Sequence, residues 1–144
     1  MKARDVMLSC VLCASLCTQA QVKVSLVDLS KDEIGAAVAA EVASRMRRIP
    51  QALWVDNPKA GGIEARLSSM RLPRLEPDDP QFVAITVTIL MHSESHKMWP
   101  GYMGSRQKLC AEPVVQQCAD ALFDAVEVQV NNVLKLVDVL KQKR

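Results

Sequence analysis

FVAITVTILM, residues 82 to 91, alternates through its whole length. Val83, Ile85, Val87, Ile89 and Met91 share one face, and Ala84, Thr86 and Thr88 share the other. A period of two marks a strand, and this density of β-branched residues suits a central one. A central strand needs partners on both sides, so the flanking segments must supply them.

Upstream, Pro73-Arg74-Leu75-Glu76-Pro77-Asp78-Asp79-Pro80 is an exposed proline loop. Before it, Ile63 to Leu72 alternates, with Ile63, Ala65 and Leu67 on one face and Glu64, Arg66 and Ser68 on the other. Asp56 to Gly62 reads as a turn and Ala52 to Val55 as a short strand. Ser30-Lys31-Asp32-Glu33 has the spacing of a capping box, and a helix is expected to follow. Its buried stripe is Ile34, Val38, Val42 and Met46, with Arg45, Arg47 and Arg48 at its cationic end and Pro50 stopping it. Gln21 to Val27 is a first strand, with Val22, Val24 and Leu26 on one face.

Downstream, Trp99-Pro100-Gly101-Tyr102 has the composition of a turn, and Gly104 to Leu109 offers a last short strand. Pro113 suits the first position of a helix. Val115, Cys118, Leu122, Val126, Val133, Val137 and Leu140 then form a long apolar stripe. Two features compete with one continuous helix. Asn131-Asn132 reads as a bend or an end, and Val126 to Val130 alternates like a strand. The tail Lys141-Gln142-Lys143-Arg144 is basic.

The order predicts an α+β fold: a small, mostly antiparallel sheet of four to five strands with two helices packed on one face. It resembles in architecture the small periplasmic α/β accessory domains such as the amino-terminal domain of the translocation protein TolB. No motif is shared, so the resemblance assigns no residue a role.

The first twenty residues carry a separate message. Lys2 and Arg4 give a basic start, and Val6 to Leu16 is apolar. That run has the length of a signal-peptide core and is too short to span a bilayer as a helix. Thr18-Gln19-Ala20 places small residues where a signal peptidase reads, so cleavage is expected after Ala20, leaving 21–144 as one domain. A buried N-terminal helix and a lipid anchor are the competing readings. Leucine stands in the wrong place before Cys13 and Cys17, which leaves Cys10 as the least poor lipidation site.

Removal of Lys2, Arg4 and Asp5 turns 18 basic and 16 acidic residues into 16 and 15. A chain so close to neutral has no global field to draw in nucleic acid, and no second segment is long enough to span a membrane. Cys10, Cys13 and Cys17 leave with the signal, and Cys110 and Cys118 remain. In an oxidising compartment these two are expected to form a structural disulfide. A metal pair or a redox pair is the alternative, and the spacing is far from C-x-x-C.

The chemistry concentrates in MHSESHKMWPGYM, residues 91 to 103, which holds both histidines. On a strand, His92 and His96 stand about 13 Å apart and do not close on one ion. The spacing also departs from the zinc-protease pattern. If the chain reverses at Lys97 to Gly101, His92, His96, Met98 and Met103 form a soft-metal set that favours copper(I). Met91 instead continues the buried face of its strand. Trp99 and Tyr102 flank a turn and are the expected partner-binding residues.

The arginines 45, 47, 48, 66, 71 and 74 are interspersed with acids, which predicts a mixed surface. There is no G-x-S-x-G turn, Gly61-Gly62 is too short to cradle phosphate, and Asp78-Asp79 sits in the proline loop. No catalytic residue and no cofactor is therefore assigned. The expectation is an exported, non-catalytic binding domain that presents a sheet edge or the Trp99–Tyr102 loop to another envelope or secreted protein. The periplasm is the expected compartment, with secretion or lipid anchoring as the alternatives. The alternative function is soft-metal binding.

Overall fold

In the computed structural model, residues 21–57, 61–93 and 101–143 are described. The central strand reads as expected. Phe82–His92 (β4) lies between Gly62–Arg71 (β3) and Gly101–Ala111 (β5), antiparallel to both. Its alternation is realised in full: Val83, Ile85, Val87 and Ile89 are buried on one face.

Val22–Asp28 (β1) joins the other side of β3, in parallel, and Ala52–Trp54 (β2) joins β1, also in parallel. The sheet order is β2-β1-β3-β4-β5. It is a five-stranded mixed sheet, mostly antiparallel. The β3–β4 connection is closed by the Leu72 amide, which donates to the Phe82 carbonyl at 3.0 Å. Gln81 Nε2 donates to both the Leu72 and Phe82 carbonyls at 2.9 Å. Gly62 enters β3 at φ +102°, and a Cβ there would lie 2.3 Å from the Lys23 carbonyl oxygen. Only glycine permits this backbone and this approach to β1.

Glu33–Met46 (α1) and Val115–Gln142 (α2) cover one face of the sheet. Of the expected α1 stripe, Val38, Val42 and Met46 are buried and Ile34 is partly buried against the core, with Gly35 and Ala39 also buried. Its start differs from the capping-box expectation. Asp32 is the N-cap, with Oδ1 accepting from the Gly35 amide at 2.7 Å and Oδ2 accepting from the Ser69 hydroxyl. Ser30 instead donates to Asp28 from its amide and its hydroxyl. A carboxylate that caps α1 and holds β3 at once displaces a serine that could do only the first.

α2 runs unbroken for 28 residues through Asn131-Asn132, preceded by a 3₁₀ turn at Glu112–Val114 that holds Pro113. The Val126–Val130 alternation does not make a strand. Val126 and Val130 lie one helical turn apart, and both are buried with Ala119 and Leu122. Cys110 at the end of β5 and Cys118 in α2 form the disulfide, with Cα atoms 6.0 Å apart. It ties the edge strand to the helix that covers it.

Candidate functional site

The sheet separates two of the four residues of the soft-metal expectation. His92 lies at the end of β4 on the face away from the helices, whereas Met103 packs against the core cluster between sheet and helices. Met91 also packs against that cluster. His96, Met98 and Trp99 lie outside the described residues. Among the described residues, no three His, Cys, Asp or Glu side chains gather as a metal cluster.

What His92 meets is Glu64. The alternation of β3 placed Glu64 opposite Ile63 and Ala65, but not its burial: Glu64 is only 1% exposed. Glu64 faces Leu90 across β3–β4 and Ser25 across β1–β3 in register, and both are buried. One carboxylate oxygen takes Arg66 Nε. The other lies 2.6 Å from His92 Nε2, close but misaligned for a hydrogen bond. The cluster latches the end of β4 to β3 at the point where the chain enters residues 93–100. No signal in the sequence reveals it, because Leu90 and His92 reach Glu64 only through strand pairing.

The arginines are dispersed among local partners, as the mixed-surface expectation requires. Arg45 pairs with Glu41 and Asp120, Arg47 stacks over Trp54 at 4.4 Å, and Arg48 donates to Ser44. Arg71 and Arg74 line a cleft of about 400 Å³ together with Glu33 and Glu112. Two cations and two anions leave that cleft without a net field for an ionic ligand.

The outer edge of β5 has a different character. β5 pairs with β4 and closes the sheet order, so its far side presents backbone donors and acceptors outward. On the open face of the sheet it carries Ser105, Gln107 and Leu109. Arg106 and Lys108 lie opposite Val87 and Ile85, on the helix side. Beside it, Arg106 and the α2 residues Ala121, Asp124, Ala125 and Val128 line a shallow cleft of about 220 Å³.

Ala121, Ala125 and Val128 recur at helical spacing and form a second stripe next to the core stripe of α2. That signal was present in the sequence but is masked there by the stronger core stripe. Tyr102, at the start of β5, is 67% exposed and its hydroxyl lies 3.0 Å from the Ser105 hydroxyl. A β-bulge beside it, between Ile89 and Leu90, adds one residue on the β5 side. The strand edge thus lies between the α2 stripe on the helix side and Tyr102 on the open face, an arrangement suited to an added extended segment.

No protein-family model matches the chain, and no curated protein matches it. Its fold is similar to that of the hypothetical protein CT253 from Chlamydia trachomatis. The match has 9% identity and a TM-score of 0.50, covering 77% of this chain and 98% of that one. A minor lipoprotein from Acinetobacter baumannii gives 10% identity and a TM-score of 0.30, covering 83% of this chain and 94% of that one. The rare lipoprotein B from Shewanella oneidensis gives 15% identity and a TM-score of 0.28, covering 84% and 97%. At such identities the first match speaks to the fold alone.

Proposed function

We propose that the chain is a non-catalytic accessory domain of the cell envelope that binds another protein along the outer edge of β5 and the adjoining segment with Trp99 and Tyr102. The observation that carries this reading is the open edge of an eleven-residue strand beside the Ala121–Ala125–Val128 stripe. Backbone pairing supplies affinity in such an arrangement, and side chains entering the cleft supply selectivity. Arg106 and Lys108 oppose self-pairing of two copies while remaining compatible with an acidic partner strand.

Export is supported by the signal-peptide pattern of residues 1–20 and by the disulfide, which persists in oxidising compartments. The non-catalytic reading is supported by the sequence, which carries no G-x-S-x-G turn.

Site-specific photocrosslinking in the native envelope tests this. A photoreactive residue at Gln107, on the β5 edge, is expected to give a discrete protein adduct that the same group at Ala40, exposed on α1, does not give. Equal labelling from both positions, or none from Gln107, sinks the reading.

A further inference from the structure

The C-terminal end of α2 outruns the fold it belongs to. The helix is roughly 42 Å long at 1.5 Å per residue, and the last residue it buries is Leu134. Beyond it, Leu136, Val139 and Leu140 are 58%, 47% and 56% exposed, and Val137 is half-buried. Four apolar side chains in the five residues 136–140, past the last buried position of the helix, call for a cover.

Their arrangement narrows what the cover is. At about 100° per residue, these four side chains span an arc of roughly 160°. Lys135 and Lys141 fall on its two rims, so their stems can lie along apolar surface while the ammonium groups reach outward. Asp138, the single acid beyond Leu134, falls about 180° from the middle of the arc at the same spacing. Lys143 and Arg144 follow. An apolar arc with cations on both rims and its acid turned away matches a helix that lies in an anionic lipid interface. It does not match self-association, because two copies would bring the rim lysines together. A spanning role is also unsuited: no described helix is long and apolar enough to cross a membrane.

We infer that the last two turns of α2, Leu136 to Gln142, with Lys143 following, dock on an anionic phospholipid surface. Leu136, Val139 and Leu140 enter the acyl boundary, and Lys135, Lys141 and Lys143 meet the headgroup phosphates. The docked helix end would hold the domain at the membrane surface. The inference stands apart from the proposed protein partner, since it uses neither β5 nor Tyr102.

The test is flotation of the purified chain from Gln21 to Arg144 with vesicles. One set contains phosphatidylglycerol and phosphatidylethanolamine, and the other phosphatidylcholine alone. The chain is expected to float with the anionic vesicles and not with the neutral ones, and to be released by high salt. Leu136→Ser/Leu140→Ser and, separately, Lys135→Glu/Lys141→Glu are each expected to lower partitioning at least tenfold. All four positions are exposed, so an unchanged thermal melt shows that the fold is kept.

Failure to float with anionic vesicles overturns the inference. So does a loss confined to the lysine variant, which would be adsorption of a basic tail without insertion. Binding of the exposed stripe to an acidic protein by a chain that stays off both vesicles would overturn it equally.

Discussion

Glu64 Oε2 lies 2.6 Å from His92 Nε2, across two strands that the sequence separates by the whole proline loop. The carboxylate is buried, so removing either partner leaves the other without the group it faces. Breaking a buried ionic contact costs about 3–5 kcal/mol when a charge is left uncompensated. Here Arg66 still holds the other carboxylate oxygen, and the loss on His92→Ala should be smaller, about 1–3 kcal/mol. A double-mutant cycle of His92→Ala and Glu64→Ala by urea unfolding should give a coupling of at least about 1 kcal/mol. Simple additivity would mean that the two groups are merely adjacent.

Asp32 rather than Ser30 caps α1, and the two can be told apart. Asp32→Ala removes the acceptor for the Gly35 amide and the partner of the Ser69 hydroxyl. A lost N-cap costs about 0.5–2 kcal/mol, and the tie to Ser69 places this one at the upper end. Ser30→Ala touches an exposed turn and should stay within about 0.5 kcal/mol. The reverse order in thermal denaturation would restore the capping box.

These two sites mark how far the sequence carries. The central strand, the α1 stripe and the disulfide were legible because each is local: alternation, a four-residue recurrence, and two cysteines in an exported chain. The start of α1 was legible only as a cluster of capping residues, since the choice between Ser30 and Asp32 rests on Ser69, a residue of β3. Parallel pairing of β1 with β2 and β3 was not legible, because an alternating heptapeptide looks alike in either direction. β5 was expected as Gly104 to Leu109 and runs Gly101–Ala111. Its ends are paired by β4, and their own glycine and alanine carry little strand signal. The second stripe of α2 was present in the sequence, but nothing there places it beside an open strand edge.

The disulfide closes a short loop, and its contribution follows from chain entropy. A loop of this length corresponds to about 2–3 kcal/mol. Cys110→Ala/Cys118→Ala should lower stability by that amount in chemical denaturation. Alanine is the better probe than serine, because both positions are buried and a hydroxyl would add its own desolvation cost. Reduction of the parent chain should reproduce the shift, and the alanine pair should be indifferent to reductant.

Gly62 is the least replaceable glycine of the sheet. At φ +102° an L side chain is strained, and its Cβ would fall on the Lys23 backbone. Gly62→Ala should cost at least about 2 kcal/mol. Because the clash is with β1, hydrogen exchange should rise first in the β1–β3 ladder and not in β4–β5. Uniform loss of protection across the sheet would contradict that order.

Tyr102 separates a binding role from a folding role. Its ring is mostly exposed, and its hydroxyl meets only the exposed Ser105 among the described contacts. Tyr102→Ala should therefore leave stability within about 0.5 kcal/mol of the parent. An exposed aromatic at the head of an open strand is a natural anchor for an added segment, and truncating such an anchor typically costs about 2 kcal/mol or more of binding. That is a loss of about thirtyfold in affinity, and at partner concentrations near the parent dissociation constant it empties most of the sites. The adduct formed from Gln107 should fall accordingly in the Tyr102→Ala background, while the melting curve stays in place. Loss of both together would assign Tyr102 to the fold, and retention of both would move the contact along β5, toward Arg106 and the α2 cleft.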